Sequence, residues 1–311
     1  MDRKEKYKVV SEAINQLNNE EINNLLLEGK PIHQGIGGTG VKLDIESVSV
    51  FAKRIPITEI EFKNQFSTKN FFHLPTYYQY GVGSTGFGVW RELKTHQKTT
   101  EWVLNGECEN FPLMYGYAII DEENPQKMTA DDLKKYVDYW GGSIAIGSRM
   151  ESLLAAKQSV VLFLEYIPYT FQSHKTKLDP KIIEKDLFDT VEFMMSKGMI
   201  HFDTHGRNIL TDGERLYFAD FGLAILVDFE LSPDETKFFN KNIGYDGALS
   251  ADAICHNSEK IADISSEMQS LIDKYKTIAD RYHQFIVELR DDLTKILQYP
   301  QEEINQLFDV I

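Results

Sequence analysis

Asn208 and Asp220 stand twelve positions apart, and the residues between them read as a β-hairpin. Ile209-Leu210 and Leu216-Tyr217-Phe218 are short runs of strand formers around Thr211-Asp212-Gly213-Glu214, whose Asp-Gly pair suits a type I′ turn. A hairpin closed in this way returns both ends to one place, so an amide and a carboxylate meet at its open end. Such an oxygen pair suits Mg2+, a hard cation that takes carboxylate and carbonyl oxygens together with water and substrate phosphate. Immediately upstream, His201-Phe202-Asp203-Thr204-His205-Gly206-Arg207 adds another carboxylate, Asp203, as a potential base. The plainer alternative is a polar turn in which Asp203 and Asn208 only cap backbone amides.

Strand and helix signals are segregated along the chain, which predicts an α+β fold. Residues 1–32 form an N-terminal helical extension, with apolar residues at helical spacing from Val9 to Leu26 and a break at Gly29. From Gly35 to Ile57 glycines give way to short β-type runs, with Ile45 to Val50 read as strand leading into Phe51-Ala52-Lys53. An aromatic, glycine-rich stretch (58–88) precedes a helix from Phe87 to Gly106. Strands are then expected at Leu113 to Ile120 and at Ser159 to Ile167. Pro168 marks a junction, so 33–167 and 168–311 are read as two halves, the second mostly helical.

In the second half, Asp179 as N-cap, Pro180 at the first helical position and Gly198 at the end punctuate a helix with apolar residues at 183, 187, 191 and 194. Beyond residue 258, Ile264, Met268, Leu271, Tyr275, Ile278, Tyr282, Phe285 and Leu289 alternate steps of four and three. That heptad seam either packs on the second half or pairs two copies as a homodimer.

With 311 residues the chain is long enough for two compact units, or for one bilobal unit with a shared cleft. Lys and Arg number 33 against 48 Asp and Glu, a formal charge of −15. That is the wrong sign for a surface that neutralises phosphates, so neither nucleic acid nor an anionic membrane is expected as partner. Two cysteines, Cys108 and Cys255, are too few for a disulfide framework and lack the paired spacing of a zinc site. The charged start has no apolar run after it, and the densest apolar run, Val160 to Leu164, is shorter than a membrane span. A cytoplasmic protein is expected.

His201-x-Asp203-x-x-x-x-Asn208 followed by Asp220-Phe221-Gly222 resembles the catalytic loop and metal motif of the protein-kinase-like superfamily, in order and in spacing. The resemblance covers about residues 33–250 and implies a bilobal fold, with an antiparallel sheet plus one helix in the N-lobe and a mostly helical C-lobe. It also implies ATP and Mg2+ as cofactors. Asp203 would orient and deprotonate an acceptor hydroxyl, and Asn208 and Asp220 would ligate metal. Val50-Phe51-Ala52-Lys53 is similar to the strand bearing the phosphate-binding lysine, and Gly35-Ile36-Gly37-Gly38-Thr39-Gly40 to the glycine-rich loop before it. Gly35, Gly37, Gly38 and Gly40 would admit phosphate close to backbone N–H groups. Lys53 needs a carboxylate partner on the next helix. Helical phase places Glu92 on the inner face beside Val103 and Glu101 nearer the opposite flank, so Glu92 is chosen and Glu101 kept as alternative. Residues 160–167 resemble the strand into the hinge, where backbone groups near Glu165 and Ile167 would hold adenine.

Several positions depart from the family pattern. Phe202 stands where many protein kinases have an arginine. His205 replaces the usual lysine, as in the aminoglycoside and choline kinase branch, and is either a catalytic phosphate contact or a structural histidine. No Ala-Pro-Glu follows Asp220-Phe221-Gly222. Against these departures Asp220-Phe221-Gly222 is intact, the protein-kinase form, and on that resemblance the acceptor is read as a protein serine or threonine, in the manner of a bacterial Ser/Thr kinase. The alternatives are a small-molecule alcohol and a non-catalytic nucleotide-binding module. A competing fingerprint, Gly81-Val82-Gly83-Ser84-Thr85-Gly86, fits Gly-x-Gly-x-x-Gly ahead of a helix and would suit a dinucleotide. No acid-terminated strand follows it, and the alternation of a doubly wound sheet is missing.

Overall fold

A computed structural model of the chain describes residues 1–35, 38–122, 127–256, 264–292 and 294–311. It divides into two compact units. The first comprises Met1–Pro75, Thr85–Glu107 and Pro112–Tyr166, the second Thr76–Ser84, Cys108–Phe111 and Ile167–Ile311.

In chain order, the first unit holds α1 (Arg3–Ile14), α2 (Asn19–Glu28), β1 (Lys30–Gly35), β2 (Gly38–Ile45), β3 (Val48–Ile57), α3 (Glu59–Lys63), α4 (Val89–Leu104), β4 (Met114–Asp121), α5 (Ala130–Tyr139), α6 (Ile144–Leu154) and β5 (Gln158–Glu165). The strands form one antiparallel sheet in the order β1-β2-β3-β5-β4. Within 33–167, where one helix was expected beside the sheet, four are present among the described residues. The stretch 45–50 is not a continuous strand. Glu46 and Ser47, at φ 50° and 62°, make the tight turn between β2 and β3, and two positive φ values suit the twist of a two-residue hairpin.

Side chains two apart on a strand share a face, so Lys53, Ile55 and Ile57 point the same way from β3. Ile55 and Ile57 enter a core with Val89, Trp90 and Leu93 of α4 and with Met114, Val160, Leu162 and Leu164 of the neighbouring strands. The same face therefore carries Lys53 towards α4. The helix begins without a cap of its own, since Gly88 (φ 152°) has no side chain to offer. Buried Glu61 supplies one: its Oε1 accepts the Val89 N–H at 3.2 Å, and its carbonyl accepts Trp90 Nε1 at 2.8 Å. A Cβ on Gly88 would lie 2.7 Å from that carboxylate. Helix α1 is not a detached extension. Ile14 lies against Gly116 of β4, and Arg3 is paired with Glu165 at the end of β5, with Nη2 to Oε2 at 2.6 Å.

The second unit holds β6 (Tyr169–Thr170), α7 (Phe171–His174), α8 (Pro180–Ser196), β7 (Met199–Ile200), β8 (Ile209–Thr211), β9 (Leu216–Phe218), β10 (Ile225–Leu226), α9 (Pro233–Asn240), α10 (Tyr245–Cys255), α11 (Ser266–Asp291) and α12 (Gln301–Phe308). Asp179 caps α8 by accepting from the Lys181 N–H, and Gly198 ends it at φ 67°. The hairpin of β8 and β9 closes differently from a type I′ turn. Thr211 pairs with Leu216, leaving the loop 212–215, in which Asp212 Oδ1 accepts the N–H groups of Glu214 and Arg215. The side chain of Asp212 thus does locally what a tighter turn would do with backbone alone. Along α11, Met268, Leu271, Tyr275, Ile278, Tyr282, Phe285 and Leu289 are all buried within the unit, where α11 packs on α10, α8 and α12. From Met268 to Leu289 the seam packs on the second half within one chain.

The fold class is α+β, with an antiparallel sheet and α4 in the first unit and a largely helical second unit, compatible with the kinase-like class. No described helix is long and apolar enough to cross a membrane.

Candidate active site

Two groups of the singled-out residues lie in the two units, and each has its own geometry. In the first, Lys53 is placed between Gly40 of β2 and Leu162 of β5. Its Nζ donates to Glu92 Oε1 at 2.6 Å, and both side chains are almost wholly buried. Glu92 sits in the first turn of α4, where a carboxylate also answers the helix dipole. Glu101 is exposed and lies 3.5 Å from Lys98, so the phase argument selects the carboxylate that meets the lysine. Gly35 and Gly38 close the β1–β2 hairpin, while Gly37 lies outside the described residues. Gly38 has φ 139°, and a Cβ there would stand 2.4 Å from the Arg54 carbonyl oxygen, so no other residue fits. Gly40 faces Lys53 across the ladder. At Glu165 the N–H is spent on the Leu113 carbonyl at 2.7 Å and the carboxylate on Arg3 and the Leu113 N–H. Ile167 is buried and opens the last segment of the second unit.

In the second unit Asn208 Nδ2 donates to Asp203 Oδ2 at 2.7 Å and to the Asp203 carbonyl at 3.2 Å. This fixes which way the amide points: its nitrogen is engaged, and its oxygen accepts no hydrogen bond among the described residues. The Ala219 N–H donates to the Asn208 carbonyl at 2.9 Å, which extends the β8–β9 ladder by one rung and keeps Asp220 at the same end as Asn208. Asp220 is left-handed, at φ 65° and ψ 77°, a conformation that costs a non-glycine residue about 1–3 kcal/mol. Phe221, next to it, is fully buried against His201, with ring centroids 5.0 Å apart.

His201 is neutral by construction. Its Nε2 lies 3.1 Å from the Ala219 carbonyl and its Nδ1 accepts the Asp203 N–H at 3.3 Å, so the ring carries its proton on Nε2. Burial pushes its pKa down to about 4. In the unfolded chain the ring takes a proton near pH 6.5, whereas the native ring resists until about 4. The stability this supplies is therefore complete above pH 6.5 and is lost as pH falls towards 4. His201→Phe lacks that titration. Its stability deficit relative to the parent is expected to shrink by about 3 kcal/mol across this window, read as the difference between urea curves at several pH values. A deficit independent of pH would contradict the assignment.

His205 lies with Nε2 3.7 Å from Asp203 Oδ1, while its Nδ1 accepts the Arg207 N–H at 3.2 Å. Burial, its largest influence, lowers its pKa, while the charge of Asp220 works against that fall.

Of two further residues central to this arrangement, one was not singled out from the sequence and the other was read there in a different role. Asp246, in the first turn of α10, accepts the N–H of His201 at 2.6 Å and of Phe202 at 2.9 Å. Phe202 is itself left-handed, at φ 63°, so one buried carboxylate holds a strained turn in place ahead of Asp203. Full burial raises the Asp246 pKa to about 7, with the two N–H donors pulling against that rise. Its signal was one of two acids, with Asp252, in a helix otherwise of small and apolar residues, Tyr245 to Ile254, where an acid needs buried partners. The other is Gly81. A Cβ there would lie 2.4 Å from Asp203 Oδ1 and 3.3 Å from the Phe202 carbonyl oxygen. The glycine-rich stretch 81–86 follows a single 3-10 turn, Thr76–Gln79, rather than a strand, which removes the strand-to-loop context of a dinucleotide site. Here the glycine serves close approach to a carboxylate.

No family model matches the chain. It is similar to CTD kinase subunit alpha of Schizosaccharomyces pombe, with 30% identity over 103 residues, a stretch that is 30% of this chain and 17% of that protein. It is also similar to serine/threonine-protein kinase PKH3 of Saccharomyces cerevisiae, with 42% identity over 59 residues, 19% of this chain and 7% of that protein. The chain thus spans less than a fifth of the length of either relative. Both matches are to protein kinases, and what they and the fold class support is a chain that is kinase-like in part.

Proposed function

We infer that the protein is a phosphotransferase that moves the γ-phosphoryl group of ATP to a hydroxyl, with a protein serine or threonine as the favoured acceptor. The observation that carries this reading is the Asp203–Asn208 pair, in which the amide nitrogen is bound to the carboxylate and the amide oxygen is left to another ligand. Asn208 Oδ1 and the Asp220 carboxylate are hard oxygen donors at one end of a hairpin, a donor set that fits Mg2+. When bound, the ion neutralises charge on the phosphates being parted. Lys53, held in place by Glu92, is suited to hold phosphate oxygens. Asp203 orients the acceptor: the acceptor O–Pγ bond forms as the bond from Pγ to the β,γ-bridging oxygen breaks, and the acceptor proton passes to Asp203.

The test is incubation of the purified chain with Mg2+ and γ-labelled ATP, alone and with a soluble lysate, alongside an Asp203→Asn control. Label on protein that is absent from the control supports the favoured acceptor. Label confined to small molecules moves the reading to the metabolite or antibiotic branch, which His205 and the absent Ala-Pro-Glu favour. Binding of Mg·ATP without transfer would make the chain a nucleotide-binding module. Gly81→Ala gives a second check. The added methyl displaces the Asp203 carboxylate, so transfer is expected to fall about 10–100-fold, while the thermal midpoint stays close to the parent's.

A further inference from the structure

We propose that Asp252, His256 and His283 form a binding site for a transition-metal dication of the Zn2+ type, tying the end of α10 to α11. The candidate ligand atoms of the three residues all lie within 4.8 Å of one another. His256 Nδ1 is 3.0 Å and His283 Nδ1 3.5 Å from Asp252 Oδ1. Ligands about 2.0–2.2 Å from a tetrahedral zinc ion are separated by roughly 3.3–3.5 Å, so two of the three separations are already close to what one ion requires.

The second observation is the isolation of these atoms. Asp252 is 6% exposed, and beyond the contacts of the cluster itself neither its Oδ1 nor His256 Nδ1 has a hydrogen-bond partner among the described residues. The other ring nitrogen, His256 Nε2, lies 3.3 Å from Asp280 Oδ1. A carboxylate behind a histidine is also the outer-shell arrangement that orients metal-binding imidazoles. The backbone of His256 is held as well. Its N–H donates to the Asp252 carbonyl at 2.7 Å, and its carbonyl accepts from Lys175 Nζ at 3.1 Å. Lys175 is buried and also reaches the carbonyls of Ala253 and Ile254, closing the end of α10.

Two imidazoles and one carboxylate suit Zn2+ rather than the all-oxygen coordination of Mg2+ or Ca2+. Three protein ligands leave a fourth position for water, so an exchangeable ion is expected rather than one locked in by four side chains. Asp280 also bonds Lys276, with Nζ to Oδ2 at 3.0 Å, which leaves it a supporting group.

The test uses the full chain without a histidine tag, stripped with chelator and titrated with Co2+ alone. One equivalent should give a saturable ligand-field band of nitrogen-coordinated Co2+, displaced by Zn2+, with a raised thermal midpoint. His283→Ala, at a half-exposed position that α11 does not need for packing, should abolish the band while far-UV circular dichroism is retained. Asp280→Asn should weaken affinity about 10–100-fold. Asp220→Asn should leave the band intact, which separates this site from the oxygen donors of the proposed reaction. A parent chain that gives no band, or a band that persists in both His256→Ala and His283→Ala, would overturn the proposal and leave a histidine–carboxylate ion cluster.

Discussion

Asp203→Asn is expected to lower phosphoryl transfer by about 10²–10⁴-fold, the span that a positioned proton acceptor contributes, and to leave Mg·ATP affinity close to the parent's. The substitution is nearly isosteric. The Asn208 amide can still donate to the retained carbonyl oxygen, so the turn from 203 to 208 keeps its hydrogen bonds. What disappears is the charge that draws the acceptor proton. Single-turnover measurements at saturating acceptor, with nucleotide affinity from calorimetry, separate the two effects. Unchanged turnover would remove Asp203 as the base, and equal losses in turnover and affinity would recast it as a nucleotide ligand.

Asp246→Ala is the second large effect, and it acts through stability. The substitution strips the acceptor from the N–H groups of His201 and Phe202, both inside the unit. Buried N–H groups left without partners cost about 1–3 kcal/mol each, and bonds to a charged group lie at the upper end. A loss of about 3–5 kcal/mol is therefore expected, enough to unfold a marginal domain. Phe202 would also lose the support that holds its left-handed backbone. Amide exchange read residue by residue gives the sharper check: protection at 201 and 202 should collapse further than at β8 or β9. Uniform loss of protection would mean that Asp246 supports the unit generally rather than this turn.

What the sequence disclosed follows the range of the interaction involved. The choice of Glu92 over Glu101 depended only on helical phase within α4, a local property, and the structure places Glu92 beside Lys53. The period of α11 was likewise readable residue by residue, but the partner of its seam was not, because heptad spacing is the same whether the facing helix belongs to the chain or to a copy. The hairpin's turn was misjudged because Asp-Gly was weighed as a backbone signal, and the Asp212 side chain supplied its own bonds to Glu214 and Arg215. Asp246 escaped notice because it lies more than forty positions beyond the turn it holds, so nothing local to His201 points to it. Gly81 stood out in the sequence only as part of a dinucleotide fingerprint, and a glycine does not say what comes close. Here it is a carboxylate, not a phosphate.

The division of the chain into units has a practical side. Residues 76–84 and 108–111 belong to the second unit although the first surrounds them in sequence. Tyr80, from the first of these insertions, sits among Phe202, Phe238, Tyr245 and Phe285, and Asn110, from the second, donates to the Leu216 carbonyl. A truncation beginning at 167 would therefore open a hole in the aromatic core and leave the β9 edge unmatched. Its complement, 1–166, would carry two orphaned segments with apolar side chains and nowhere to bury them. Neither unit can be excised by cutting the gene once, and any dissection of this protein has to graft those two insertions onto the C-terminal piece.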